Sequence, residues 1–265
     1  MTAAPSRGSG PPPLRALVRQ IGWEQRSYWR NPAAAAFTFA FPLLFLVIFT
    51  ALNGNDRVSL DGGSVRFAQY YVPAIVSFGL ISACYTNLAF TVCSRRELGL
   101  LKRTRGTPLQ PVVYLGGIVG NVLVVATILT ALVIALGLTV YGVTWPGRYL
   151  GLLVAVVAGA FCFSTIGVAV STFVPNEDAA PAIINFLLFP LLFISGTFGA
   201  VADDSFLGRV ANVFPVRHLI QSMVAVFDPF ASGTGVQRND VLVLLAWGVA
   251  GLVVARVRFR WEPRR

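Results

Sequence analysis

VVYLGGIVGNVLVVATILTALVIALGLTVY, residues 112–141, contains no charged side chain. As an α-helix rising 1.5 Å per residue it is longer than the roughly 30 Å of hydrocarbon in a bilayer, so it predicts a membrane span with length to spare for tilt. Five more apolar blocks flank it: Ala34–Leu52, Tyr70–Cys93, Tyr149–Val174, Pro181–Ala200 and Asp240–Ala255. Across 265 residues, 55% are hydrophobic and only 12% charged, and the mean hydropathy is +0.70. A soluble domain of this size needs a far more charged surface. The expectation is an all-α integral membrane protein with six transmembrane helices. Pro190 interrupts the fifth block, which a bilayer tolerates where neighbouring helices cover the freed backbone.

Basic residues set the orientation. With the N-terminus inside, segments 1–33, 94–111 and 256–265 hold five Lys or Arg each, and 175–180 holds none. The outside segments hold Arg57, Arg66, Arg148, Arg209, Arg217 and Arg238. This asymmetry places both termini in the cytoplasm. The net charge of +10 is divided among short segments beside spans, which fits attraction to anionic headgroups rather than nucleic acid. Cys84, Cys93 and Cys162 form no paired motif and read as small apolar residues of the bundle. His218 has no Cys or second His nearby, so no metal site is expected.

Between the spans, residues 1–13 are expected to be a disordered tail rich in Pro, Ser and Gly. Residues 14–31 carry Leu14, Leu17, Val18, Ile21, Gln25 and Tyr28 at helical spacing, with Arg15, Arg19, Arg26 and Arg30 on another face. That pattern predicts an amphipathic helix along the membrane surface. Residues 205–227 are amphipathic in runs too short to cross and predict two short outer helices, and 256–265 form a basic tail. The region 34–255 makes up the six-helix transmembrane domain.

The most informative loop is SRRELGLLKRTRGTP, 94–108, within the inside segment 94–111. A helix here is expected to expose Arg96, Glu97 and Arg103 to water while docking Leu98 and Leu101, giving a contact surface for a cytoplasmic partner. The chain's only lysine is Lys102, preceded by Leu101, so no phosphate-binding loop of the G-x-x-x-x-G-K-[ST] form exists. Any ATP-driven step must be supplied by another chain. Within the spans, Asn87 and Asn185 are the clearest polar residues, joined by Ser77, Ser82, Thr86, Ser164, Thr165 and Ser171. Such groups either line a path or hydrogen-bond neighbouring helices. Phe186, Phe189 and Phe193 recur at three- and four-residue spacing and share one helix face. Gly116, Gly117, Gly120, Gly159 and Gly167 allow close helix approach. Helices with this many small residues are expected to pack tightly, leaving little room for a path within one chain.

A basic amphipathic helix before the first span, an Arg-Arg-Glu-Leu-Gly loop ending in Thr-Pro, and a fifth span reading LLFPLLFISGTF together resemble the permease subunit of type-2 ABC exporters, in particular the daunorubicin-resistance type. The resemblance covers about residues 14–255. It implies the six-helix permease fold and two copies of a separate ATPase subunit that binds ATP and Mg2+. It also implies a second permease copy or paralogue, and residence in a bacterial cytoplasmic membrane. It makes the first inside loop a coupling helix, carrying Glu97, Gly99, Lys102, Arg103 and Pro108, and makes 14–30 a connecting helix. The short helices of 205–227 become re-entrant, and spans two and five with Ser195 flank the exit path. Its substrates include drugs, antibiotics, lipids and polysaccharide precursors, and a non-transporting membrane scaffold is the alternative from another class.

Overall fold

The computed structural model describes residues 13–53, 56–60, 63–105, 111–198 and 205–259. It is 79% helical, and the strands among the described residues are one antiparallel hairpin, β1 (Arg57–Leu60) with β2 (Gly63–Arg66). Helices α1 (Pro13–Trp29) and α2 (Pro32–Asn53) precede the hairpin. Helix α3 (Phe67–Ile81) runs through a π-helical turn, Ser82–Asn87, into α4 (Leu88–Glu97), and α5 (Leu100–Arg105) comes next. Then come α6 (Pro111–Thr139), α7 (Tyr149–Ser171), α8 (Ala180–Ile194), α9 (Phe206–Ala211), α10 (Pro215–Phe227) and α11 (Arg238–Arg258).

Among the described residues, five helical runs are long and apolar enough to cross a bilayer: Ala35–Asn53, Phe67–Glu97, Val112–Thr139, Tyr149–Ser171 and Arg238–Arg258. The expected fifth block instead yields the shorter α8, Ala180–Ile194. Its 15 residues reach about 22 Å at 1.5 Å each, short of the hydrocarbon thickness. The chain turns at Ser195–Gly196, where Gly196 adopts φ 89°, a left-handed conformation that ends helices readily only at glycine.

Phe67–Glu97 is the hub: 72% of its apolar window is buried, against 22% for α2 and for α11. Close approach around the hub is made by glycines. A Cβ on Gly167 of α7 would lie 2.9 Å from the Tyr85 carbonyl oxygen and 3.2 Å from that of Cys84, so α7 lies directly on the backbone of the π-turn. Gly251 of α11 does the same to α7, with the Ile166 nitrogen 2.9 Å from a Cβ placed there. Gly116, Gly117 and Gly120 of α6 receive Leu17, Gln20 and Ile21 of α1. Helix α1 therefore packs on α6 through one face while Trp23 and Trp29 stay exposed. Side-chain bonds tie α3 and its π-turn to the α8 region at two levels: the Tyr70 hydroxyl donates to the Gly196 carbonyl at 2.8 Å and the Tyr85 hydroxyl to the Ile184 carbonyl at 3.1 Å.

Two expectations for the loop after α4 are corrected. Arg96 does not face water: it is buried, donating from Nη1 to the Ser171 carbonyl at 2.9 Å and from Nη2 to the Val174 carbonyl at 2.6 Å. Helix α7 ends at Ser171 with carbonyls that lack intrahelical partners, and a guanidinium satisfies them while complementing the negative end of the helix dipole. Leu98 is exposed rather than docked, whereas Leu101 is fully buried. Gly99 at φ 66° reverses the chain between them, so the loop is an elbow of two helices and not one continuous amphipathic face.

Candidate functional site

A cleft of about 760 Å³ opens between α1, α2, the π-turn with α4, and α8. The π-turn shapes the cleft: a π-helical insertion inside an α-helix resets the angular register of the residues beyond it and recurs at functional positions. Here it brings Ser82, Thr86 and Asn87 to the cleft wall, and α8 adds Asn185, Leu188 and Phe189. The Asn87 Nδ2 is buried without a hydrogen-bond partner, and so is the Oδ1 of Asn121, which lines the cleft from α6. One orphan donor and one orphan acceptor on the same wall equip it to bind a ligand with complementary polar groups.

The two ends of the cleft differ. Toward α1 it is lined by Glu24, Tyr28, Ser94, Arg95 and Glu177. Further along the same helices it becomes aromatic, with Phe41 and Phe78 on its wall. Beyond that, Phe198 packs against Phe45, Phe49, Phe78 and Phe193, with ring centroids 5.4, 5.5, 6.4 and 4.9 Å away. This cluster fills the space between α2, α3 and α8 past the end of the cleft. The cleft thus has its charged groups toward α1, phenylalanines along its lining, and Phe78 in common with the Phe198 cluster.

The residues singled out for a path separate into two groups. Asn87, Asn185 and Phe189 meet on the cleft. Phe186 and Phe193 are 77% and 65% exposed on the outward side of α8, and Ser195 is buried away from the cleft with its hydroxyl unpartnered. Among the other polar residues, Ser77, Thr165 and Ser171 donate to carbonyls of their own helices, which satisfies them locally. In the elbow, Glu97, Lys102 and Arg103 are exposed, while Pro108 lies outside the described residues.

Sequence reasoning missed the charged end. Arg95 donates from Nη1 to Glu24 Oε1 at 2.8 Å and from Nη2 to Glu24 Oε2, and Nη1 also reaches the Tyr114 hydroxyl at 3.1 Å. The available signal was position: Glu24 is the only carboxylate before Asp56, and it shares the helix face of Leu17, Ile21 and Tyr28. At the opposite end of the bundle, His218 of α10 has Nδ1 2.7 Å from Asp240 Oδ1 and Nε2 2.8 Å from the Asn212 carbonyl. Both ring nitrogens face acceptors, so the imidazolium form satisfies both, and the Asp240 hydrogen bond raises its pKa above the usual histidine value.

The long apolar helices among the described residues make this a multi-pass membrane protein. The chain belongs to the ABC-2 type transporter family, whose model matches residues 17–227, and it is accordingly the membrane permease component of an ABC exporter. No curated protein matches the chain.

Proposed function

We propose that this permease moves a hydrophobic or amphipathic substrate out of the cytoplasm or inner leaflet of a bacterial cytoplasmic membrane, with ATP and Mg2+ bound on a separate ATPase subunit present in two copies. The cleft carries this reading: its unpaired amide groups beside phenylalanines suit a molecule with an apolar body and a few polar groups. In this reading both termini are cytoplasmic, so substrate enters at the α1 end and the Phe198 cluster is the barrier that must part. The α4–α5 elbow is the ATPase contact, with Glu97, Lys102 and Arg103 as its exposed charges and Gly99 as its bend. Arg96 supports the elbow from within rather than touching the partner. A second permease copy completes the path, and the exposed Phe186 and Phe193 favour α8 as the face that meets it.

The experiment is reconstitution in lipid. The purified chain alone hydrolyses no ATP, and the chain with its co-purifying ATPase does. Cysteines at 186, 189 and 193 then cross-link between copies or are shielded by a transported amphipathic dye. ATP hydrolysis by the isolated chain overturns the separate-subunit reading. Absence of both cross-linking and shielding removes α8 from the path.

A further inference from the structure

Helix α4 ends in two consecutive arginines that reach opposite ways. Arg96 binds carbonyls at the end of α7, a contact between a fixed cation and backbone groups that carry no titratable charge. Arg95 binds the Glu24 carboxylate of α1 with both terminal nitrogens and the Tyr114 hydroxyl of α6. Gln20 of α1 donates to the same carboxylate at 2.9 Å, and Gln25 donates to the Asn121 carbonyl of α6 at 3.2 Å. Glu24 is 6% and the Arg95 side chain 19% exposed, so the pair is shielded from bulk water yet borders the cleft.

This placement has a mechanical consequence. The helix that presents Phe90, Thr91, Ser94 and Arg95 to the cleft runs unbroken to Glu97, and a helix transmits displacement along its length as a stiff rod. Whatever moves the cleft wall therefore moves the start of the elbow. A two-pronged arginine–carboxylate contact fixes orientation as well as distance. With Arg96 already bound to α7, the Arg95–Glu24 pair links α1 to that movement, beside the packing of α1 on the glycines of α6.

We propose that Glu24 and Arg95 are a positioning pair that locks α1 to α4, so that the α1 helix and the elbow beyond Glu97 move as one body when the cleft changes shape. The proposal rests on the permease reading, in which α1 and the elbow both face the ATPase, and assigns to this pair the contact that holds the two together. Tyr114 holds the Arg95 fork in place, and Gln20 holds the carboxylate.

The test uses spin labels at Trp23→Cys and Leu98→Cys, both on exposed side chains, in the full-length permease in nanodiscs, alone and with its ATPase. The unaltered pair gives a narrow distance distribution between the labels in every nucleotide state. Glu24→Gln and Arg95→Gln broaden it about twofold, and the exchange Glu24→Arg with Arg95→Glu narrows it again, because only re-formed charge complementarity is shared by the exchange and the native chain. In the complex the single variants lower kcat for ATP hydrolysis about fivefold with KM for ATP unchanged, since a coupling contact lies away from the nucleotide. An unbroadened distribution in Glu24→Gln overturns the proposal, and so does broadening that the exchange leaves in place. If no ATPase associates with the chain at all, the permease reading fails, while the distances measured on the chain alone still decide the lock.

Discussion

Arg96 donates to the Ser171 carbonyl at 2.9 Å, so the end of α4 is fastened to the end of α7 from inside the bundle. Removing the guanidinium takes the donor from the Val174 carbonyl and leaves the Ser171 carbonyl, at the end of α7, with only the Cys93 thiol at 3.8 Å. Arg96→Ala is expected to destabilise the folded chain by about 3 kcal/mol, in line with a buried hydrogen-bonded charge. Arg96→Glu is worse, because a carboxylate there opposes both the carbonyls and the helix dipole. Thermal unfolding in detergent, compared with the exposed Arg103→Ala, checks this: equal midpoints for the two variants would return Arg96 to the surface.

Gly99 holds φ 66°, and a Cβ built on it meets nothing within 4 Å. Any effect of Gly99→Ala must therefore come from backbone conformation and not from a clash. The left-handed conformation costs an alanine about 1 kcal/mol or slightly more, which biases the elbow toward a different angle. Amide exchange across 98–105 should speed up in Gly99→Ala and much less in Gly99→Asn, since asparagine tolerates this region. Identical exchange in both would mean the bend is not held by this residue.

His218 supplies the pH dependence. Its pKa is raised above the reference value of 6.5 by the Asp240 hydrogen bond, against burial and the nearby Arg217 charge, with help from the Asn212 carbonyl. A cation favoured by the fold contributes stability that is complete below the unfolded-state pKa and is lost as pH rises through the folded one. The junction of α9, α10 and α11 should therefore be tightest below the reference value of 6.5 and loosen as pH rises through the raised pKa. Hydrogen exchange in α10 measured against pH reports this, and Asp240→Asn should shift the loosening to lower pH. A pH-independent profile in the native chain would show that His218 is not the controlling group.

Two glycine substitutions separate packing from propensity. A Cβ at Gly167 meets backbone oxygen at 2.9 Å, whereas one at Gly22 meets nothing within 4 Å. Gly167→Ala must push α7 off the π-turn and is expected to cost about 2 kcal/mol, a common overpacking penalty. Gly22→Ala, within α1, is expected to gain up to about 1 kcal/mol from helix propensity. Melting of both variants, with dye binding to the cleft as a second readout for Gly167→Ala, distinguishes them. A Gly167→Ala chain as stable as the native one would show that the two backbones can separate freely.

The bundle was legible in the sequence where a cost to water or lipid acts on one helix at a time. Val112–Thr139 has to be a membrane helix whatever surrounds it, because an unpaired backbone or a charge in hydrocarbon is expensive everywhere along the run. The helical spacing of Leu17, Ile21 and Tyr28 likewise announces an amphipathic α1 from local pattern alone, read there as a helix along the membrane surface; that Leu17 and Ile21 seat on the glycines of α6 is seen only in the fold. Facing is a different matter, since it depends on groups that another segment leaves unsatisfied. Arg96 reads as a solvated charge until the free carbonyls at the end of α7 are brought beside it, and Glu24 reads as a lone acid among arginines until α4 delivers Arg95. Asn87 and Asn185 are nearly a hundred residues apart, and only the π-turn and the Tyr85–Ile184 bond put them on one cavity. Composition and periodicity determined which segments enter the membrane. Tertiary packing decided which polar groups meet there, because the energy of burying each one is set by a partner distant in sequence.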